Sequence, residues 1–415
     1  MTDRQNVALR EAKRTALIFA SSQAIIGSAA PIMMSMGGLA GDYLLDADKT
    51  LATAPVTGFT VGVALGAMPA ALFMRMVGSK NGFMTGSLVT ALGGALAGLA
   101  IMRGDFWLFV MALMIVGLGG AFVQQFRFAA ADASPPDFKP KAISWVLGGG
   151  VIAAILGPQL VILTRDMMAP VDFAGAFFAV SMLGLAGMGV LALLRSNPNV
   201  ESENEAGGSA HVDARQLSTI ITQPRFMIAF ACGVTSYALM AFMMTGAPLA
   251  MVGCGLSIDQ ATLGISWHVM AMFAPSFVTG RLIARFGKEV IVGTGLAILL
   301  LCGMVALTGV QLWQFWLALI LLGVGWNFGF IGSTAMITDT YRASEKNKVQ
   351  GVHDFALFST VAFASLMSGA TLNAFGDTAQ GGWIALNLIL IPLAAACLLL
   401  LVVHTLASRR KLQPA

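Results

Sequence analysis

Charge is what this chain has least of. Only 11% of its residues are Asp, Glu, Lys or Arg, while 57% are apolar; a soluble domain carries roughly 25% charged residues. So few charges cannot cover a water-facing surface, which excludes an ordinary globular domain. The 20 Asp and Glu fall in loops or near the ends of apolar runs, none in the middle of one. The four cysteines (Cys232, Cys254, Cys302 and Cys397) are scattered, without zinc-type spacing or a disulfide framework. A P-loop, a His/Cys metal cluster and a G-x-S-x-G elbow are all missing, so ATP-driven work and hydrolysis have no support. Neither an enzyme nor a cofactor or metal is expected. No cleavable signal peptide is visible, because the first apolar run is too long for a signal core.

What the chain has is apolar length. Twelve runs come close to the roughly 20 residues needed to cross the hydrocarbon core. They lie near 15–37, 54–76, 83–102, 106–130, 143–164, 173–194, 226–250, 261–283, 290–310, 313–338, 352–374 and 383–407. An all-α, multi-pass membrane protein follows, and its 47 glycines suit helices that pack closely through small residues. With the N-terminus in the cytoplasm, only Lys49, Arg103 and Arg165 of the 24 Lys and Arg fall outside, and Arg127 lies within a span. This is the bias of the positive-inside rule, and one missed or extra span would spoil it. Both termini are then cytoplasmic. The net charge of +4 reflects this topology and gives no case for nucleic acid. Trp107, Trp313, Trp316 and Trp383 fall at outer span ends, as an interfacial belt requires. Trp145, Trp267 and Trp326 fall inside spans. The polar segment 195–225 lacks apolar periodicity and reads as a linker, with an amphipathic helix expected over 212–221.

One turn between two runs has distinctive wording: Gly280-Arg281-Leu282-Ile283-Ala284-Arg285-Phe286-Gly287-Lys288, or G-x-L-x-x-R-x-G-K. A degraded echo, Arg75-Met76-Val77-Gly78-Ser79-Lys80, places Gly78 209 residues before Gly287. Asp132, Lys139 and Lys141 likewise precede Asp339, Lys346 and Lys348 by 207 residues each. Such a period means two homologous halves of six helices. The wording resembles the signature loop of the major facilitator superfamily, and span count, repeat and linker extend the resemblance over nearly the whole chain. It implies the major facilitator fold: two pseudo-symmetric six-helix bundles at 1–194 and 226–415, joined by a cytoplasmic linker at 195–225. It also implies that spans 1, 4, 7 and 10 line a solute pathway, flanked by 2, 5, 8 and 11. The family's loop carries Asp where Arg75 and Ala284 stand here, so the resemblance does not supply that latch.

Polar groups inside spans are costly unless they face protein or water. Those that suit a pathway are Gln23, Gln124, Gln125, Thr235, Ser236, Tyr237, His268 and Asn327. With Trp145, Trp267 and Trp326 they suit a flat, polar, aromatic solute. The competing reading is plain packing, with Asn and Gln bonding between helices. Without a mid-span carboxylate, any proton coupling would fall to His268, or to Asp354 near the inner end of span 11. Arg127, Asp132 and Asp354 are expected to join the basic loops at Arg75, Arg285 and Lys288, and Asp339, in an inner gate. Span 5 carries Gly148-Gly149-Gly150 and Gly157-Pro158. This partly matches an antiporter pattern, with Ala153 replacing its middle glycine.

A closer resemblance covers 124–160. Phe126-Arg127-Phe128-Ala129-Ala130-Ala131-Asp132, Phe138-Lys139-Pro140-Lys141-Ala142-Ile143-Ser144 and Gly157-Pro158-Gln159-Leu160 look like the bacterial riboflavin transporters of this superfamily. Gly325-Trp326-Asn327-Phe328 with Asp339-Thr340-Tyr341 occurs in a wider set of bacterial relatives. The resemblance implies a secondary transporter of the bacterial inner membrane that moves a small organic solute, a flavin among the candidates, by alternating access. Proton-coupled efflux of amphipathic compounds is the second reading, and a transporter-like sensor the third. The expected partners are the solute, the lipid bilayer and, as coupling ion, the proton; a monomer is the default for this fold.

Overall fold

The computed structural model describes residues 3–195, 215–342, 345–375 and 378–412, and among them every regular element is a helix. The described residues fall into two compact units, Met1–Ser209 and Ala210–Ala415. In the first unit the helices are α1 (Asp3–Ile26), α2 (Ala29–Leu44), α3 (Ala54–Val77), α4 (Ser79–Arg103), α5 (Phe106–Val123), α6 (Phe126–Asp132), α7 (Lys139–Thr164) and α8 (Ala174–Leu191). In the second they are α9 (Leu217–Ile221), α10 (Pro224–Gly253), α11 (Ile258–Phe273), α12 (Ser276–Phe286), α13 (Lys288–Leu307), α14 (Leu312–Ile337), α15 (Lys346–Ala374) and α16 (Ala379–Leu412).

Eleven stretches are long and apolar enough to cross a membrane. The pair α11 and α12, bent by 41°, makes the twelfth when taken as one span. The first crossing, Val7–Leu44, outruns its sequence range because the polar leader continues the same helix. Of the expected linker, 196–214 lies outside the described residues. The remainder supplies α9 and the first turn of α10; of the range expected for an amphipathic helix, 212–214 lie outside the described residues and Leu217–Ile221 is helical.

The turns between spans are built from local chemistry. Gly104 closes α4 in the left-handed region, and Asp105 then caps α5, its carboxylate accepting from the Leu108 N–H at 2.9 Å. Ser257 and Gln260 form a reciprocal capping box at the start of α11. Gly78 (φ 82°, ψ 153°) and Gly287 (φ 91°, ψ 156°) adopt nearly the same backbone conformation between paired spans. That region is open essentially to glycine alone, so both copies of the loop need glycine for one physical reason.

The two units repeat one pattern of neighbours. In the first, α3 and α4 each pack on α5, α4 also packs on α8, and α1 packs on α7. In the second, α11 and α13 pack on α14, α13 on α16, and α10 on α15. Counted by span, these are the same pairs. Phe19, Phe83 and Phe126 anchor the first core, with ring centroids 5.2–5.5 Å apart. In the second, Phe315 meets Trp383 at 4.7 Å. Trp383 thus departs from the expected belt. It is 1% exposed and donates to the Ala306 carbonyl, because its polar edge finds a partner inside the unit. Trp107 and Trp313 are exposed, as the belt requires.

Span 5 carries small residues one turn apart at Gly149, Ala153 and Gly157, all buried. A Cβ at Gly149 would overlap the Ala20 carbonyl, and one at Gly157 would come within 2.7 Å of the Ser28 carbonyl. The partial antiporter pattern is therefore a close-packing face against α1 and the start of α2.

Candidate functional site

The second unit holds an aromatic group built from three helices. Tyr237 of α10 meets Trp326 (5.3 Å) and Phe330 (5.0 Å) of α14 and Phe358 of α15 (5.9 Å), each edge to face. Trp326 and Phe330, one helical turn apart, stack at 5.3 Å with an interplanar angle of 17°. Tyr237, Phe330 and Phe358 are partly exposed, so the group presents aromatic surface beyond its packing. Trp326 is 7% exposed, and its Nε1–H has no hydrogen-bond partner among the described residues. The Ser236 hydroxyl, fully buried beside Tyr237, has none either. Buried donors normally find partners, so these two stand out within the group. Phe330 and Phe358 escaped sequence reading because phenylalanine is common in apolar spans; the turn spacing from Trp326 was the available signal for Phe330.

His268 and Asn327 are committed to structure. His268 is wholly buried, and its Nδ1 lies 2.8 Å from the Leu319 carbonyl of α14. This fixes the Nδ1–H tautomer and ties α11 to α14. Asn327, also fully buried, spends its amide on the bend between α11 and α12. Its Nδ2 donates to the Met272 carbonyl (2.6 Å) and Ser276 Oγ (2.7 Å), and its Oδ1 accepts from Thr279 Oγ1 (2.6 Å). Pro275 sits at this break and has no N–H to give the helix ladder. Asn327 supplies what the interrupted ladder lacks. Trp267 is 44% exposed and leans towards Trp316, 6.5 Å away, whose Nε1 donates to the Gln260 carbonyl.

Charges gather where α10 begins and α14 ends. Asp339 accepts from Lys288 Nζ at 2.6 Å and from the Arg225 guanidinium at 2.8 Å; Arg225 also reaches Glu289 at 3.2 Å. Lys288 adds a bond to the Ala335 carbonyl (2.9 Å). Partial burial works against the Asp339 carboxylate, yet the two cations hold it below the usual carboxylate range. Lys288 and Asp339 were sequence candidates; Arg225 and Glu289 were not, although a basic residue opening a span is itself a signal. Arg285 lies over the Phe286 ring at 5.1 Å.

Beside this cluster, Arg215 grips Glu345 with Nε (2.9 Å) and a terminal nitrogen (2.7 Å), and donates to the Thr340 carbonyl. The Glu345 side chain is 1% exposed and also accepts from the Arg215 and Arg342 backbone N–H groups. The guanidinium pulls its carboxyl down to about 2.

In the first unit, Gln23 is half-buried one turn before the break between α1 and α2, against the Gly149 face. Gln124, exposed, stands at the break between α5 and α6. Trp145 is 41% exposed and meets Phe138 edge to face at 5.6 Å. Arg75 and Asp132 are exposed. Arg127 is exposed too, its guanidinium over the Phe128 ring at 4.8 Å. In the second unit, Asp354 accepts from its neighbour His353 at 2.8 Å.

Eleven apolar crossings, twelve with the bent pair counted as one, and helix-neighbour pairs repeated in the two units fit the class of membrane transporters of solutes. The family model of the Major Facilitator Superfamily matches residues 15–353 and 247–415. The chain belongs to that superfamily. It is 47% identical to the riboflavin transporter RfnT of Brucella anthropi over 393 residues, covering 95% of this chain and 96% of that protein. It is 28% identical to the uncharacterized MFS-type transporter YdeG of Bacillus subtilis, over 91% of this chain and 88% of the other. Among solved structures, the nucleoside transporter NupG aligns with a TM-score of 0.65 at 12% identity, over 94% of this chain and 98% of that one. The xylose transporter XylE from E. coli aligns with a TM-score of 0.62 at 12% identity, over 95% and 97%. These two likenesses concern the fold alone.

Proposed function

We propose that this transporter carries riboflavin, or a flavin close to it, into the cell across the bacterial inner membrane by alternating access, with the proton as coupling ion. The observation that carries the reading is the 47% identity to RfnT over 95% of the chain. The aromatic group is compatible with it. A flat tricyclic ring suits a pocket with aromatic walls and few placed polar groups. Tyr237, Trp326, Phe330 and Phe358 supply walls, and the unpartnered Trp326 N–H and Ser236 hydroxyl supply polar groups for a ring carbonyl. Gln23, Gln124 and Trp145 remain candidates for the first-half side of the pathway, and Trp267 for the second.

In this reading the Arg225, Lys288, Glu289 and Asp339 cluster is a cytoplasmic gate, opened and remade in each cycle. Arg75, Arg127, Asp132 and Arg285 belong to the same face. Bundles at 1–194 and 226–415, a cytoplasmic linker at 195–225, cytoplasmic termini and a monomer complete the proposal. The test is uptake of labelled riboflavin into proteoliposomes, with and without an imposed proton gradient. Saturable, gradient-stimulated uptake is expected. Uptake indifferent to the gradient would make the protein a facilitator. No uptake by folded protein would remove riboflavin and bring efflux of amphipathic compounds to first place.

A further inference from the structure

His353 and Asp354 are neighbours on α15 and bond to each other, with His353 Nδ1 2.8 Å from Asp354 Oδ1. The imidazole is 7% exposed and the carboxylate 57% exposed. Phe230 of α10 covers the ring edge to face at 5.6 Å. The other ring nitrogen, Nε2, is buried with no hydrogen-bond partner among the described residues. Asp354 stands six residues inside the crossing stretch Lys348–Ala374, about 9 Å along the helix at about 1.5 Å per residue.

The helices packed on α15 are α9, α10 and α16. Their ionisable groups are Arg225, Cys232 and Tyr237 on α10, and Cys397, His404 and the basic run 409–411 on α16; α9 has none. Arg225 is engaged by Asp339 and Glu289, the Cys232 and Cys397 sulfurs lie 3.7 Å from each other, and Tyr237 belongs to the aromatic group. On α15 itself, Lys346 and Lys348 precede the pair. Asp354 is the only carboxylate on these four helices.

A neutral imidazole that donates Nδ1–H to a carboxylate leaves Nε2 as a bare acceptor. Beside Asp354 the pair then carries one negative charge. A proton added at Nε2 makes an imidazolium next to a carboxylate, and the pair becomes neutral overall. A neutral pair crosses a low-dielectric path at lower cost than a charged one. His268 offers no such arrangement, since none of its surface is exposed and its Nδ1 is spent on a backbone carbonyl.

We propose that the His353–Asp354 pair is the proton site of this transporter. One proton binds at His353 Nε2 from one side of the membrane and leaves to the other, while Asp354 stays ionised and orients the ring. The proposal deepens the riboflavin reading by naming where its coupling ion sits. Its test has two arms. In the first, solute-free purified protein is followed by tryptophan fluorescence between about pH 5.5 and 8.5, the range in which histidine ordinarily changes charge. Wild type is expected to show a pH-dependent change that His353→Gln loses. A wild type without the change, or a variant that keeps it, overturns the proposal. In the second arm, proteoliposomes with His353→Gln or Asp354→Asn are expected to exchange labelled for unlabelled riboflavin at equal pH. They are expected to lose gradient-driven accumulation, and Asp354→Glu to restore it. Accumulation undiminished in His353→Gln overturns the coupling role. Failure of wild type to move riboflavin overturns the solute instead, and the first arm still decides the proton site.

Discussion

At the scale of single residues, identity was easier to read than direction. Asn327 and His268 stand beside Trp326 and Trp267 in sequence, and all four looked like groups facing a solute. The fold turns Asn327 into the bend between α11 and α12 and buries His268 against Leu319, because a helix spreads adjacent residues about 100° apart. Trp326→Ala is therefore expected to weaken riboflavin binding by about 1–3 kcal/mol, the usual worth of a ring stacked on an aromatic side chain, or about 5- to 150-fold in Kd. Equilibrium binding to purified protein would measure it, and an unchanged Kd would remove Trp326 from the site. Asn327→Ala is expected to act differently. It takes the amide donor from the Met272 carbonyl and Ser276 Oγ, at about 1–3 kcal/mol for a buried group left unpaired, while the Thr279 hydroxyl keeps its bond to the Pro275 carbonyl. Its unfolding midpoint in detergent should fall, whatever its riboflavin affinity.

Elements were legible where hydropathy and turn chemistry spoke together. All twelve spans could be placed because each loop interrupts a long apolar run. The break in the eighth could not, since Pro275 alone does not reveal whether a span ends or bends. Asn327 of α14 fastens that bend, so α12 and the loop after it are carried by α14 as well as by α11. The Arg215–Glu345 clamp was equally hidden, as two charges 130 residues apart give no sign of meeting. Glu345 is held down to about 2 from an ordinary 4.5. A lowered carboxylate stabilises above its unfolded value and loses that contribution as pH falls towards the folded one. The clamp is thus complete above about pH 4.5 and fails only towards about pH 2. Trypsin cleavage after Arg215 should be slow in wild type and faster in Glu345→Ala, with no pH dependence from the clamp between about pH 6 and 8. Equal rates would mean that the clamp does not hold α9. At the loop glycine, Gly287→Ala forces a side chain into φ 91° and is expected to cost about 1–3 kcal/mol, read as a lowered melting point.

For the whole molecule, composition and the positive-inside bias point to one topology. Tags on the two termini should both be reached by membrane-impermeant reagents only from the cytoplasmic face, and labelling of either from outside would break the assignment. The repeat seen in Gly78 and Gly287 and in the shared neighbour pairs has a consequence of parity. With the bent pair α11 and α12 taken as one span, each unit has six candidate crossings, an even number, and would start and finish on the same face. An ancestral half could therefore be doubled in tandem without turning its second copy upside down, as an odd number of crossings would. For the same reason a chain severed within 196–214 leaves two fragments, each with the count needed to insert in its native sense. Coexpressed from separate messages, they form the natural starting point for rebuilding the carrier from its halves.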